Sequence, residues 1–181
     1  MNITIGGKKI LHSYHHYIME LEVDQFKKIS CEGFRSRTIT EADIPILSQG
    51  DFALANMTPY LHKQKLFSTG LLFYEEASNQ PVGYIWIVRR GGNEMSYRIR
   101  KIEGLISCVC VFKPFRGQNI ANLMICEIVK IFKDEGHQKV ALAVNTDNVS
   151  AIRAYEKAGF QKVDDKYFFR ILRKNFPYHI L

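Results

Sequence analysis

Hydrophobic positions along the chain follow two spacings, one of two residues and one of three to four, and their order predicts the element order. The opening "NITIGGKKILH" reads as two short strands about a Gly6-Gly7 turn, since glycine supplies the positive φ that tight hairpins need. Between Tyr14 and Ile29 the pattern is ambiguous, with a helix starting near Asp24 that puts Phe26 and Ile29 on one face. "SRTITEADIPILSQ" predicts a short strand, then Thr40 as an N-cap with Asp43 three positions on, then a helix holding Ile44 and Leu47. Pro45 falls within the first turns of that helix, where proline is tolerated. "FALANMTPYLHKQ" predicts a second, shorter helical segment broken near Pro59.

"GLLFYEEA" and "PVGYIWIVRR", joined by Ser78-Asn79-Gln80, predict an antiparallel hairpin, and "GGNEMSYRI" a loop or strand margin. "KIEGLISCVCVF" reads as a long buried strand, followed by a helix from about Gln118 to Glu135 that Gly136 stops. "KVALAVN" is another strand, and "NVSAIRAYEKAG" a helix ending at Gly159. "FQKVDDKYFFRILRK" is expected to close as two strands around Asp164-Asp165. Hairpins early and a β-α-β-α run late predict an α/β (α+β) sheet fold.

Composition narrows the class. A chain of 181 residues, 46% hydrophobic and 24% charged with five prolines, fits one domain with a sizeable core. No run of about 18 apolar residues occurs and the N-terminus lacks an apolar secretory segment, so a soluble, cytoplasmic protein is expected. Cys108 and Cys110 stand two apart on a predicted strand, and Cys31 and Cys126 stand alone. That spacing completes no four-cysteine zinc site, and reduced, mostly buried thiols are expected. His12, His15 and His16 have no cysteine or carboxylate at ligand spacing, so no metal is expected. A net charge of +7 suits an anionic ligand, an acidic partner or nucleic acid. The basic residues gather only in pairs such as Lys8-Lys9, Lys27-Lys28 and Arg89-Arg90, and most aromatics fall in predicted strands, which disfavours nucleic acid.

The segment with candidate chemistry is "VCVFKPFRGQNIANLMI", a strand, a turn and a helix. A helix starting near Gln118 offers about four unpaired N–H donors and roughly half a positive charge. Gly117 lets the chain curl towards an anion, Arg116 adds a permanent charge, and Ala121 keeps the next turn thin. Together these describe a pyrophosphate cradle. No Gly-Lys-Ser/Thr follows, so it is not the mononucleotide loop, and the three-glycine dinucleotide pattern is missing.

Arg116-Gly117-Gln118-Asn119-Ile120-Ala121 resembles the Arg/Gln-x-x-Gly-x-Gly/Ala motif of the GNAT superfamily of acyl-CoA-dependent N-acyltransferases, with "VCVFKPF" matching its fourth strand. Asn119 replaces the first motif glycine; asparagine tolerates left-handed backbone angles, while its Cβ narrows the approach to the phosphates. Asn148, Ala151, Tyr155, Gly159 and Phe160 fall in register with a second family signature, Asn-x-x-Ala-x-x-x-Tyr-x-x-x-Gly-Phe. The resemblance covers about Arg35 to Lys174, which divides the chain into an N-terminal extension, 1–33, of a hairpin plus a helix or strand, and an N-acetyltransferase domain, 34–181.

The resemblance implies a mixed, mostly antiparallel sheet of about six to seven strands flanked by helices, splayed between strands four and five where pantetheine binds. It implies acetyl-CoA as co-substrate, an amine acceptor and no metal. By the same resemblance Arg116, Gly117, Gln118, Asn119, Ile120 and Ala121 hold the diphosphate, and Val109, Cys110 and Val111 offer backbone groups to pantetheine and the acetyl carbonyl. Tyr155 is the general acid towards sulfur and also a cofactor contact. Asn148 contacts pantetheine, caps its own helix, or does both. Glu103 is a candidate base; period-two alternation puts it on the face of Leu105, Ser107 and Val109 until any bulge intervenes. Glu75 and Glu76 are lesser candidates, and water is the alternative to a dedicated base. Asp51, Tyr60 and His62 are positioned to line an acceptor pocket, whose substrate the sequence leaves open. No nucleic acid or membrane is expected as partner, and the chain is read as a monomer or homodimer, with residues 1–33 covering the acceptor cleft or forming a dimer contact. The rival reading is a catalytically silent acyl-CoA-binding module of the same fold.

Overall fold

A long central strand, Glu103–Val111, organises the chain. The computed structural model describes residues 2–5, 8–26, 32–50, 68–89, 93–94, 97–98, 103–173 and 176–180. In chain order these form β1 (Asn2–Ile5), β2 (Lys8–Glu22), β3 (Phe34–Thr38), α1 (Ile44–Leu47), β4 (Ser68–Glu75), β5 (Pro81–Val88), β6 (Asn93–Glu94), β7 (Tyr97–Arg98) and β8 (Glu103–Val111). Then follow α2 (Ile120–Asp134), β9 (Lys139–Asn145), α3 (Val149–Ala158), β10 (Gln161–Arg173) and β11 (Phe176–Ile180). Nine strands share one sheet, ordered β11-β10-β2-β9-β8-β5-β4-β3 with β1 against β2, while β6 and β7 pair separately. This is the mixed, mostly antiparallel sheet flanked by helices that the resemblance implies, with nine strands among the described residues where about six to seven are expected.

Within this sheet β8 and β9 are the parallel neighbours. A parallel pair needs a long crossover, and α2 supplies it. The buried stripe of α2, Met124, Ile125, Ile128, Val129 and Phe132, packs with Ile106, Val140 and Leu142 of the sheet and with Tyr155 and Phe160. Each such aliphatic side chain contributes about 1.5–3 kcal/mol on burial. Gly104 lets the helix lie close, since a Cβ there would sit 2.4 Å from the Phe132 ring. The opposite face of the sheet carries Leu72, Tyr84, Trp86 and Phe112, covered by Leu47 of α1.

Several sequence expectations change in detail. The helix expected near Asp24 is a 3-10 turn, Val23–Gln25, at the end of β2. Positions 27–31, and the segment 51–67 with its second helical segment and Asp51, Tyr60 and His62, lie outside the described residues. "GGNEMSYRI" contributes a short antiparallel pair, β6 with β7. Asp164-Asp165 do not make a turn: β10 runs through them, paired along β2, with the register shift between Lys162 and Asp164 leaving Val163 as the extra residue. Both carboxylates are instead matched by cations, Asp165 by Lys162 at 2.8 Å and Asp164 by Lys166 at 3.2 Å. The N-terminal hairpin is present as β1 and β2, and β2 lies inside the sheet between β9 and β10.

The Thr40 cap is formed. Asp43 Oδ2 accepts from the Thr40 N–H at 2.7 Å and from Thr40 Oγ1 at 3.0 Å, and the Asp43 N–H donates to the Thr40 carbonyl at 3.1 Å. Arg37 Nη1 donates to Asp43 Oδ2 at 2.8 Å, and Arg37 Nη2 donates to the Tyr74 hydroxyl at 2.7 Å. The Arg37 hydrogen bond, then those from Thr40, hold the Asp43 carboxyl well below the usual carboxylate range. Because the folded pKa lies below the unfolded one, this stabilisation is present above about pH 4 and is lost as pH falls further. With Arg37 partly exposed, solvent screens the pair, so Asp43→Asn is expected to lose only about 1–2 kcal/mol at neutral pH. Urea unfolding at pH 7 and pH 3 checks this: the gap between variant and parent should shrink at the lower pH.

Candidate functional site

The opening at the centre of the sheet begins with one extra residue. Opposite β5, Cys108 pairs with Trp86 while Ile106 pairs with Ile87, so Ser107 is a β-bulge. A bulge bends its strand and breaks the ladder. On the other edge, pairing of β8 with β9 runs from Glu103–Lys139 to Ile106–Leu142 and stops there. Val109, Cys110 and Val111 keep their β5 partners, Ile85, Tyr84 and Gly83, but among the described residues no strand pairs with them on the β9 side. Ser107 is held by its own side chain, whose Oγ donates to the Trp86 carbonyl at 3.3 Å.

The bulge also resets which way side chains point. Gly104 and Ile106 face α2, as do Val109 and Val111, whereas Cys108 and Cys110 pack with the Trp86 side. Glu103 and Leu105 therefore share a face with Cys108 and not with Val109, which is the interruption that simple alternation misses. Glu103 is fully buried at the start of β8, in the part still paired with β9.

Beyond Val111 the chain makes a 3-10 turn, Lys113–Phe115, and then the turn that starts α2. Gly117 takes φ 78° and Asn119 φ 62°, both left-handed. Asn119 in this conformation is what delays the helix to Ile120, two residues later than expected. A Cβ at Gly117 would meet nothing within 4 Å, so glycine is required there for its backbone angle and the space above it is open. Among the described residues no backbone carbonyl accepts at good hydrogen-bond geometry from the backbone N–H of Gly117, Gln118, Asn119, Ile120 or Ala121. Arg116 is exposed, but its Nε donates back to the Val111 carbonyl at 3.0 Å and ties the turn to the end of β8. The Gln118 side chain donates to the Pro114 carbonyl at 3.2 Å.

α3 brings the second set of residues. Asn148 caps it, its Oδ1 accepting from the Ala151 N–H at 3.2 Å and from Ser150 Oγ at 3.0 Å. Tyr155, 9% exposed, sits in the core between sheet and helices. Burial, and secondarily the Cys108 thiol near it, push the Tyr155 phenol well above its ordinary pKa. The phenol on α3 thus lies within electrostatic reach of a side chain of β8 just past the bulge. Two residues that the sequence did not single out also meet at the turn: Lys157 Nζ donates to Asn119 Oδ1 at 3.2 Å, and Asn122 Nδ2 donates to the same oxygen at 2.6 Å. The Asn122 contact, three positions along a helix, was open to a spacing argument; the Lys157 contact, between two helices, was not.

The residues present fit a diphosphate ester carrying a long amide arm: a row of unclaimed N–H donors at a helix start, opening onto an unpaired strand edge. A family model described as the acetyltransferase (GNAT) family matches residues 39–160. The chain belongs to this family. Among GNAT relatives, the N-alpha-acetyltransferase 30 of Schizosaccharomyces pombe is 31% identical over 64 residues, 35% of this chain and 43% of that protein. The N-alpha-acetyltransferase MAK3 of Arabidopsis thaliana is 25% identical over 83 residues, 46% of this chain and 41% of that one. The matches thus span less than half the length of these curated relatives. A GCN5-related N-acetyltransferase from Sphaerobacter thermophilus has the same fold, with TM-score 0.61 and 23% identity over 86% of this chain and 50% of that one. So does an aminoglycoside antibiotic 6'-N-acetyltransferase from Acinetobacter haemolyticus, with TM-score 0.57 and 16% identity over 72% of this chain and 92% of that one. No helix among the described residues is long and apolar enough to cross a membrane.

The Asn148 cap gives a direct check. Asn148→Ala should lower stability by about 1 kcal/mol, whereas Asn148→Asp, which keeps the acceptor, should stay within a few tenths. Denaturant midpoints of the two variants at neutral pH decide it.

Proposed function

We propose that this GNAT chain is an N-acetyltransferase that moves an acetyl group from acetyl-CoA to a primary amine by direct attack in a ternary complex. The observation that carries the reading is the join of two features: N–H groups from Gly117 to Ala121 that no backbone carbonyl among the described residues claims, and an edge of β8 a few residues before them along which the ladder with β9 has ended. The turn residues Arg116 to Ala121 bind the diphosphate, with backbone N–H as the working groups. Val109, Cys110 and Val111 orient the pantetheine arm through the edge that β9 leaves open. One N–H of that edge polarises the acetyl carbonyl and stabilises the oxyanion as the amine attacks.

Acetyl-CoA supplies the acetyl group as a thioester. The amine nitrogen forms the new bond to the carbonyl carbon, the carbon–sulfur bond breaks, the amine sheds one proton and the sulfur gains one. Tyr155 donates to the departing sulfur; its raised pKa keeps the phenol protonated through the physiological range. Glu103 lies about 10 Å along β8 from where pairing ends, at ~3.3 Å per residue, so a proton reaches it only through water. Its full burial on the Cys108 face favours that relay over direct contact with the amine. The names of the two curated relatives make the α-amine of a peptide the first acceptor to try.

The test is thiol release from acetyl-CoA with a panel of peptides and small amines. Tyr155→Phe should lower kcat by about 10²-fold while calorimetry finds acetyl-CoA affinity within about twofold. The rate should rise with pH as the amine loses its proton, with no fall below about pH 10, the ordinary tyrosine value. Binding without turnover on any amine would establish the silent binding module instead. No association with acetyl-CoA would remove both readings.

A further inference from the structure

Asn119 stands where the GNAT motif has glycine, and its left-handed backbone is strained by roughly 1 kcal/mol relative to glycine. Something must favour the side chain. Its Oδ1 accepts from two donors, Asn122 Nδ2 and Lys157 Nζ. An ammonium can only donate, so Lys157 fixes the Asn119 amide with oxygen towards α3, and Asn122 must then offer its Nδ2. The consequence is an orphan: Asn122 is 3% exposed, and its Oδ1 is buried with no hydrogen-bond partner. Exchanging O and N in both amides leaves a buried donor unmatched instead and turns an N–H towards Lys157. The polar cluster is thus unfinished at the flank of α2 that meets α3. Lys157 itself is exposed, and among the described residues no carboxylate pairs with it.

We infer that Asn119 and Lys157 work as one unit of the cradle, Asn119 holding the Lys157 ammonium at the mouth of the turn, where it takes a diphosphate oxygen of the acyl donor. This rests on the acetyl-CoA reading and adds to it a binding residue and a reason for the missing glycine. Arg116 is drawn back onto the Val111 carbonyl, so Lys157 is the cation that the turn's own side chain, Asn119, holds. The chain gives up some backbone ease at position 119 and gains a placed charge.

Calorimetry on the full chain with two probes, CoA and 3'-dephospho-CoA, tests this, with urea unfolding run in parallel. Lys157→Met should weaken both probes about tenfold, as loss of a charge-assisted hydrogen bond does, and should flatten the salt dependence of binding. Lys157→Arg should restore affinity to within about threefold. Asn119→Gly should leave stability unchanged or raised, yet weaken both probes, and should add no further loss in the Lys157→Met background. Unchanged affinity in Lys157→Met, a loss confined to CoA, or tighter binding by Asn119→Gly would each overturn the assignment; the second would place Lys157 on the 3'-phosphate. Failure of the unaltered chain to bind either probe overturns the acetyl-CoA reading itself. Binding by the unaltered chain with an indifferent Lys157→Met removes only this inference.

Discussion

The pairing of β8 with β9 ends at Ile106 and Leu142, and the rest of the site follows from that break. A single extra residue, Ser107, bends β8 just where the ladder stops and turns the next side chains to the opposite faces. Past this point β8 keeps its ladder with β5 and, among the described residues, is not laddered with β9. A strand edge in the middle of a sheet is normally unfavourable, because its N–H and C=O groups are neither paired nor freely solvated. The opening persists because both flanking strands are anchored elsewhere: β8 on β5 from Leu105 to Val111 apart from the bulged Ser107, β9 on β2 from Lys139 to Asn145.

The helix that follows converts this gap into a site with polarity. α2 is pressed against β8 through Phe132 over Gly104, so its axis cannot drift. Its start is fixed by the Arg116 tie to Val111 and by the left-handed residues Gly117 and Asn119. The donor-rich end of the helix and the unpaired edge are therefore covalent neighbours held by short contacts on both sides. A ligand bridging them needs a compact anionic part and an extended part with amide groups, which limits the chemistry more than the shape of any pocket does.

Much of this was legible in the sequence because it depends on local rules. Proline, glycine and the Thr40–Asp43 spacing marked ends and caps that the structure contains, and Asn148 was placed at the head of its helix. The turn was readable because proline and glycine mark a bend between an apolar strand and an amphipathic helix. What failed was long-range. The Asp164-Asp165 pair carries turn-forming residues, yet β2 runs alongside it and supplies a ladder that outweighs local preference. The bulge at Ser107 left no mark in composition, since "LISCVCV" alternates equally well with or without it. Lys157 meets Asn119 only after two helices pack, so no spacing rule on one helix could find it.

The position of β2 bears on how the opening stays open. Its residues Tyr17, Met19 and Leu21 stand on the helix-facing side, where Met19 and Leu21 are buried in the same core as α2 and Tyr155, and its register holds β9 from His16–Asn145 to Glu22–Lys139. On its other edge it carries the long β10. A strand from the start of the chain thus supplies the fixed support for the far wall of the gap, while β5 supports the near wall. The segment that sequence similarity leaves outside the family match is, in physical terms, part of the frame: without a strand in that place β9 would lose the antiparallel partner that keeps it from closing back onto β8 or fraying. The opening and the N-terminal strand are therefore one mechanical unit, coupled through β9.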